Sequence, residues 1–147
     1  MVTPQLIYFA HPVFSIYRDK GSVAHKQVVR RVIDHLLGEG RSVETNLPSY
    51  GRVSLRHQPA ECRHVVHLLC AAPMNRGTVM GQPIDVVQDI TPLHDVAVLV
   101  RSSANFARAT LEPQGCALEM EQVPGGVRFT LPRLDMHQMV VLHHHVA

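Results

Sequence analysis

Tryptophan is absent from this chain, and aromatic residues make up only 5% of it. Carbohydrate-binding platforms use large flat side chains to stack against sugar rings, so this scarcity argues against a dedicated sugar-binding surface. Cysteine is scarce too: Cys62, Cys70 and Cys116 form an odd set without CxxC spacing. That excludes a disulfide framework and a zinc knuckle, and it reads as reduced thiols in a cytoplasmic protein. Charge of one sign is also lacking. Fourteen basic residues face twelve acidic ones, giving a formal charge of +2, and the basic residues are scattered. A nucleic-acid footprint needs clustered Lys and Arg. The longest apolar runs, such as Val65–Met74 with His67 inside it, are too short to cross a bilayer. Met1–Ala10 lacks the basic start, apolar stretch and small-residue cleavage site of a secretion signal.

What is present falls into two parts, residues 1–46 and 47–147. In the first, Leu6–Ala10 is a continuous apolar run of the kind found in a strand buried on both faces. Pro12 ends it by removing a donor and restricting His11. Phe14, Ile16 and Tyr17 form an apolar connection, and Ser22 suits a helix N-cap. Val28, Val29, Val32, Ile33, Leu36 and Leu37 then recur at helical spacing, before Gly38 and Gly40 at the C-terminal cap. One strand and one helix of an α/β layer, without further such units beside them, suggest the end of a larger domain. The apolar strand is the expected open edge.

Residues 41–49 read as a linker. From there onward the pattern is short alternating strands, with turns at Asn75–Gly77, Pro113–Gly115 and Pro124–Gly126. The strands are centred on Val53–Leu55, His64–Ala71, Ile84–Ile90, Val96–Val100, Ala109–Leu111, Leu118–Glu121, Val127–Leu131 and Met139–Leu142. About eight strands at this spacing predict a mainly β fold, an antiparallel two-sheet sandwich.

Few residues point to chemistry. Eleven histidines raise a metal site. In a strand, though, only His143 and His145 of the terminal run share a face, and two ligands make a weak site. His64 and His67 point to opposite faces, while His57 and His94 have no evident partner. No metal and no cofactor is expected. Glu119 and Glu121 fall near the separation of a glycosidase carboxylate pair, but their alternation beside a glycine hairpin marks a solvent-facing pair. No nucleophile elbow, P-loop or dinucleotide fingerprint occurs. His11 and Tyr17 follow the α/β-type strand, where sites form at carboxyl ends, and are the candidate ligand- or domain-contact loop.

Four segments together resemble a known family. YFAHPVFSIYRDKGSVAHKQVVRRVIDHLL is similar to the last strand and helix of a beta-galactosidase trimerisation domain, which is flavodoxin-like. NLPSYGRVSLRHQP, RHVVHLLCAAPMNRG and IDVVQDITPLHDVAVLVR resemble the β-sandwich that follows it. The resemblance is to a hypothetical glycosyl hydrolase group related to alpha-L-fucosidases and beta-galactosidases. It implies a parent enzyme whose catalytic barrel, carrying both catalytic carboxylates, lies outside this chain. No catalytic residue carries over to these positions. The resemblance implies a non-catalytic accessory and oligomerisation role, with the parent's barrel as partner, a carbohydrate as the parent's substrate and a homo-oligomeric assembly. The alternative is a free-standing sandwich that binds carbohydrate or protein without catalysis. Neither reading involves nucleic acid or membrane.

Overall fold

The structure, a computed structural model, describes residues 6–145. It divides into two compact units, one ending at Arg41 and the other beginning at Ser42.

The first unit is helical. α1 spans Val13–Lys20 and α2 spans Val23–Leu37. The strand expected at Leu6–Ala10 is not formed: Ile7 makes an isolated bridge, and a bend follows at Ala10 and His11. The residues expected as a connection, Phe14 to Tyr17, instead wind into α1. Pro12 explains the switch, because its φ of −76° is preset for helix and its missing N–H costs nothing in a first turn. Gly21, at φ +61°, closes α1 by donating its N–H to the Tyr17 carbonyl at 2.8 Å. α2 follows the predicted periodicity. Ser22 holds the N-cap position in extended geometry, but its hydroxyl makes no capping bond. Gly38 takes φ +51° and ψ −123°, open to glycine but outside the left-handed helical basin. Asp34 is bonded by Arg41 at 2.8 Å and lies 3.9 Å from Arg30.

The second unit is an antiparallel β-sandwich with a hairpin appended. Its strands are β1 Val43–Thr45, β2 Arg52–Gln58, β3 Arg63–Leu69, β4 Met74–Val79, β5 Gln82–Val86, β6 Leu93–Arg101, β7 Phe106–Glu112, β8 Cys116–Leu118, β9 Met120–Val123, β10 Gly126–Leu134 and β11 His137–His144. One sheet has the order β1-β6-β10-β9, the other β2-β3-β11-β7-β8, and β4-β5 stands as a separate hairpin.

Four sequence expectations change here. The linker at 41–49 contains β1, which pairs with β6 through Val43↔Val100 and Thr45↔Val98. The single strand expected around Leu118–Glu121 is two strands in different sheets, with the chain crossing at Glu119. The turn expected at Asn75–Gly77 is an irregularity inside β4, where the Gly77 N–H donates to the Asn75 side chain at 3.1 Å. The reversal lies at Met80–Gly81 instead, so the strand expected at Ile84–Ile90 starts earlier and ends earlier, at Gln82–Val86.

Alternation decides which side chains are inward. β6 buries Val96, Val98 and Val100; β10 buries Val127, Phe129 and Leu131; β11 buries Val140 and Leu142. These meet Val66 and Leu68 of β3, with Phe106 and Ala109 of β7, in one core. Full burial of each larger apolar side chain stabilises by about 1.5–3 kcal/mol. Among the described residues His64, Thr110 and Gln138 are the buried polar ones, and Gln138 is satisfied by the Glu112 carbonyl at 2.9 Å and the Gln114 side chain at 3.0 Å.

Candidate functional site

The inner face of the five-stranded sheet runs in cross-strand rows. Leu55, Val66, Val140 and Leu111 form one row, each paired with the next. The next row begins with histidine: His57 is opposite His64, which is opposite Leu142. His144 lies two residues beyond Leu142 on β11 and therefore on the same face. The apolar core thus ends in three imidazoles drawn from β2, β3 and β11.

Their geometry is close. The rings of His57 and His64 stack with centroids 4.4 Å apart and planes 14° from parallel. His64 Nδ1 lies 2.7 Å from His144 Nε2, a hydrogen bond whose donor depends on the tautomer. One potential ligand nitrogen from each of the three rings lies within 4.8 Å of the other two. Phe106 meets His64 and His144 edge to face, at 5.3 Å and 5.4 Å between centroids. The backbone is pinned as well, since the His144 N–H donates to the Cys62 carbonyl at 2.9 Å. His64 is buried, His144 half-buried and His57 exposed. Burial pushes the His64 pKa below its ordinary 6.5, and His57 and His144 add in the same direction. The neutral form of His64 is therefore favoured.

The sequence expectation missed this cluster because it compared histidines only along single strands. A usable signal was present: each histidine continues an alternating apolar row by one step, His57 after Leu55, His64 before Val66 and His144 after Leu142.

The opposite face of the same sheet carries other histidines. His67 Nδ1 lies 3.1 Å from His137 Nε2. His143, expected to share a face with His145 alone, bonds the Thr110 hydroxyl at 3.2 Å. Burial lowers the His143 pKa, Arg108 and Arg63 lower it further, and Glu112 opposes them. A shallow cavity of about 260 Å³ here is lined by Arg56, Gln58, Arg63, Glu112 and His143, among others. The apolar cavity beside Tyr50, Cys70, Ile90 and Met136 is about 100 Å³, well below the usual size of a small-molecule site.

The sequence candidates fall elsewhere. His11 sits at the bend before α1, its carbonyl accepting the Val13 N–H at 2.8 Å. Tyr17 lies within α1, more than a third exposed. Among the described residues no hydrogen bond or ring contact joins them. Glu119 sits at the sheet crossing, while Glu121 lies in β9 with its carboxylate 3.7 Å from Arg128, both side chains largely exposed.

No protein-family model matches this chain, and no curated protein matches it in sequence. Among solved structures it is similar to alpha-L-fucosidase isoenzyme 2 from Paenibacillus thiaminolyticus, at 37% identity and a TM-score of 0.85. The likeness covers 95% of this chain and 21% of that one, so the chain spans about a fifth of the fucosidase's length.

Proposed function

We propose that this chain is the non-catalytic C-terminal accessory portion of a glycoside hydrolase of the alpha-L-fucosidase type. The observation that carries this reading is the extent of the likeness: it runs through 95% of this chain yet takes up 21% of the fucosidase. A domain that small within such an enzyme leaves room for a separate catalytic barrel as its partner. The expected carboxylate candidates support the same reading. Glu121 is an exposed ion-pair partner of Arg128 and Glu119 is a junction residue, whereas glycoside hydrolysis needs two carboxyl groups converging on one bond.

In this reading the parent acts on a fucoside or galactoside and assembles as a homo-oligomer in the cytoplasm. The helical unit is what this chain holds of a flavodoxin-like trimerisation domain. The partly exposed Val28, Ile33, Leu36 and Leu37 of α2 supply apolar surface for that layer. The His11–Tyr17 segment, a bend that runs into α1, is the contact toward the barrel. The three free thiols suit a reducing compartment. Among the described residues no helix is long and apolar enough to cross a membrane.

A domain exchange tests the proposal. This chain replaces the matching fifth of the Paenibacillus thiaminolyticus enzyme, and aryl α-L-fucoside hydrolysis is measured for the chimaera and for the isolated chain. The expected result is an active chimaera and an inactive isolated chain. Turnover by the isolated chain overturns the non-catalytic role, and a chimaera that folds without activity overturns the accessory role.

A further inference from the structure

We propose that His57, His64 and His144 form a binding site for a divalent transition metal of the zinc class, tying the last strand of the sandwich to its first hairpin. The inference is independent of the glycoside hydrolase reading.

Zinc binds imidazole nitrogens at about 2.0–2.1 Å in a tetrahedron, which places ligand nitrogens about 3.3 Å apart. The three rings already offer nitrogens within 4.8 Å of one another, with the closest pair at 2.7 Å. Moving from one arrangement to the other needs the His64–His144 pair to open by a fraction of an ångström and the His57 ring to turn out of its near-parallel stack on His64, because an imidazole binds a metal in its own ring plane. His57 is exposed and free to swing about its side-chain torsions, whereas His64 and His144 are held by strand pairing and by Phe106. The ligands come from three strands, so the site joins positions 80 apart in sequence. The proton now shared by the facing nitrogens of His64 and His144 transfers through solvent to the far nitrogen of the ring that carries it. Both facing lone pairs are then free for the metal, with no net change in ring protonation.

The donor set favours this class of cation. Three imidazoles without a carboxylate suit zinc, cobalt, nickel or copper, and disfavour calcium and magnesium, which take oxygen ligands. Three protein ligands leave a fourth position for water, the pattern of an open zinc site. Phe106 forms an apolar wall on one side, which excludes competing water and strengthens each ligand bond.

The competing account is a metal-free stack of neutral histidines capping the core, and it predicts the opposite binding result. The test uses the full chain without a histidine tag, loaded with zinc sulfate, passed through gel filtration and analysed for metal by mass spectrometry. The expected result is about one zinc per chain. His57→Ala and His144→Ala each weaken binding about tenfold or more, while His67→Ala on the opposite face leaves it unchanged. Zinc below about a tenth per chain overturns the proposal, as does full retention by both folded variants. Zinc-edge X-ray absorption of the loaded wild-type chain gives a reading that needs no variant. Three imidazole scatterers support the site, and one or two overturn it.

Discussion

The carbonyl oxygen of Val100 occupies the space into which a side chain on Gly126 would project. Gly126 opens β10 directly opposite Arg101, and the close approach lets β6 and β10 pair to their ends. Pro124 and Gly125 make the two-residue reversal before it, with Gly125 at φ +79°, as a type II turn requires. The two glycines therefore serve different ends, one for torsion and one for space. Gly126→Ala forces backbone to move and is expected to destabilise the sandwich by about 2–4 kcal/mol. Gly125→Ala is expected to cost about 1 kcal/mol. Urea unfolding of the two variants checks the order, and an equal or smaller cost at Gly126 would contradict the close approach.

The metal-free protein is expected to lose stability as pH falls below neutral. The folded pKa of His64 lies below its ordinary 6.5 through burial, with His57 and His144 as the facing charges. The unfolded chain therefore binds a proton more readily than the folded one, so stability rises with pH. This contribution is present above 6.5 and is lost as pH falls through that value toward the lowered one. His143 acts in the same sense, through burial and Arg108 and Arg63, with Glu112 opposing. Urea midpoints between about pH 8 and pH 5, measured with chelator present, check this. His64→Leu is expected to flatten the slope, and an unchanged slope would refute the assignment.

Met80 is 98% exposed and holds φ +50°, followed by Gly81 at φ +76°. A two-residue hairpin with both central residues at positive φ is a type I′ turn, for which Asn-Gly is the favoured pair. Met80→Asn is expected to stabilise the β4–β5 hairpin by up to about 1 kcal/mol, with little change in the sandwich. Slower amide exchange confined to Met74–Val86 is the expected readout.

Cys62 and Cys116 are exposed and Cys70 is buried in the core. Two thiols are expected to react promptly with a disulfide reagent in the native chain, and the third only on unfolding. Three promptly reactive thiols would show that the core around Cys70 opens readily.

The sandwich was legible because alternation is a local signal. β2, β3, β6, β10 and β11 lie where the apolar pattern puts them. Two turns misled for local reasons: Asn75–Arg76–Gly77 has turn composition but was absorbed into a strand irregularity, and Met80 has no turn composition yet adopts the turn geometry. The crossing at Glu119 was hidden because Leu118 to Glu121 alternates without a break across two sheets. In the helical unit, one proline turned an expected connection into α1. Alternation marks His57, His64 and His144 each as inward on its own strand, but not as neighbours of one another. Which residue of β2 or β11 stands beside His64 is a matter of register, and register depends on pairing between distant strands.

β11 is the last strand of the sandwich in chain order, yet it lies in the middle of its sheet, between β3 and β7. Synthesis is vectorial, so a ribosome presents β2–β3 and β7–β8 as two hairpins well before the strand that joins them emerges. Each hairpin then carries one unsealed margin into the crowded cell. The eight residues of β11 then insert between the halves and close the sheet.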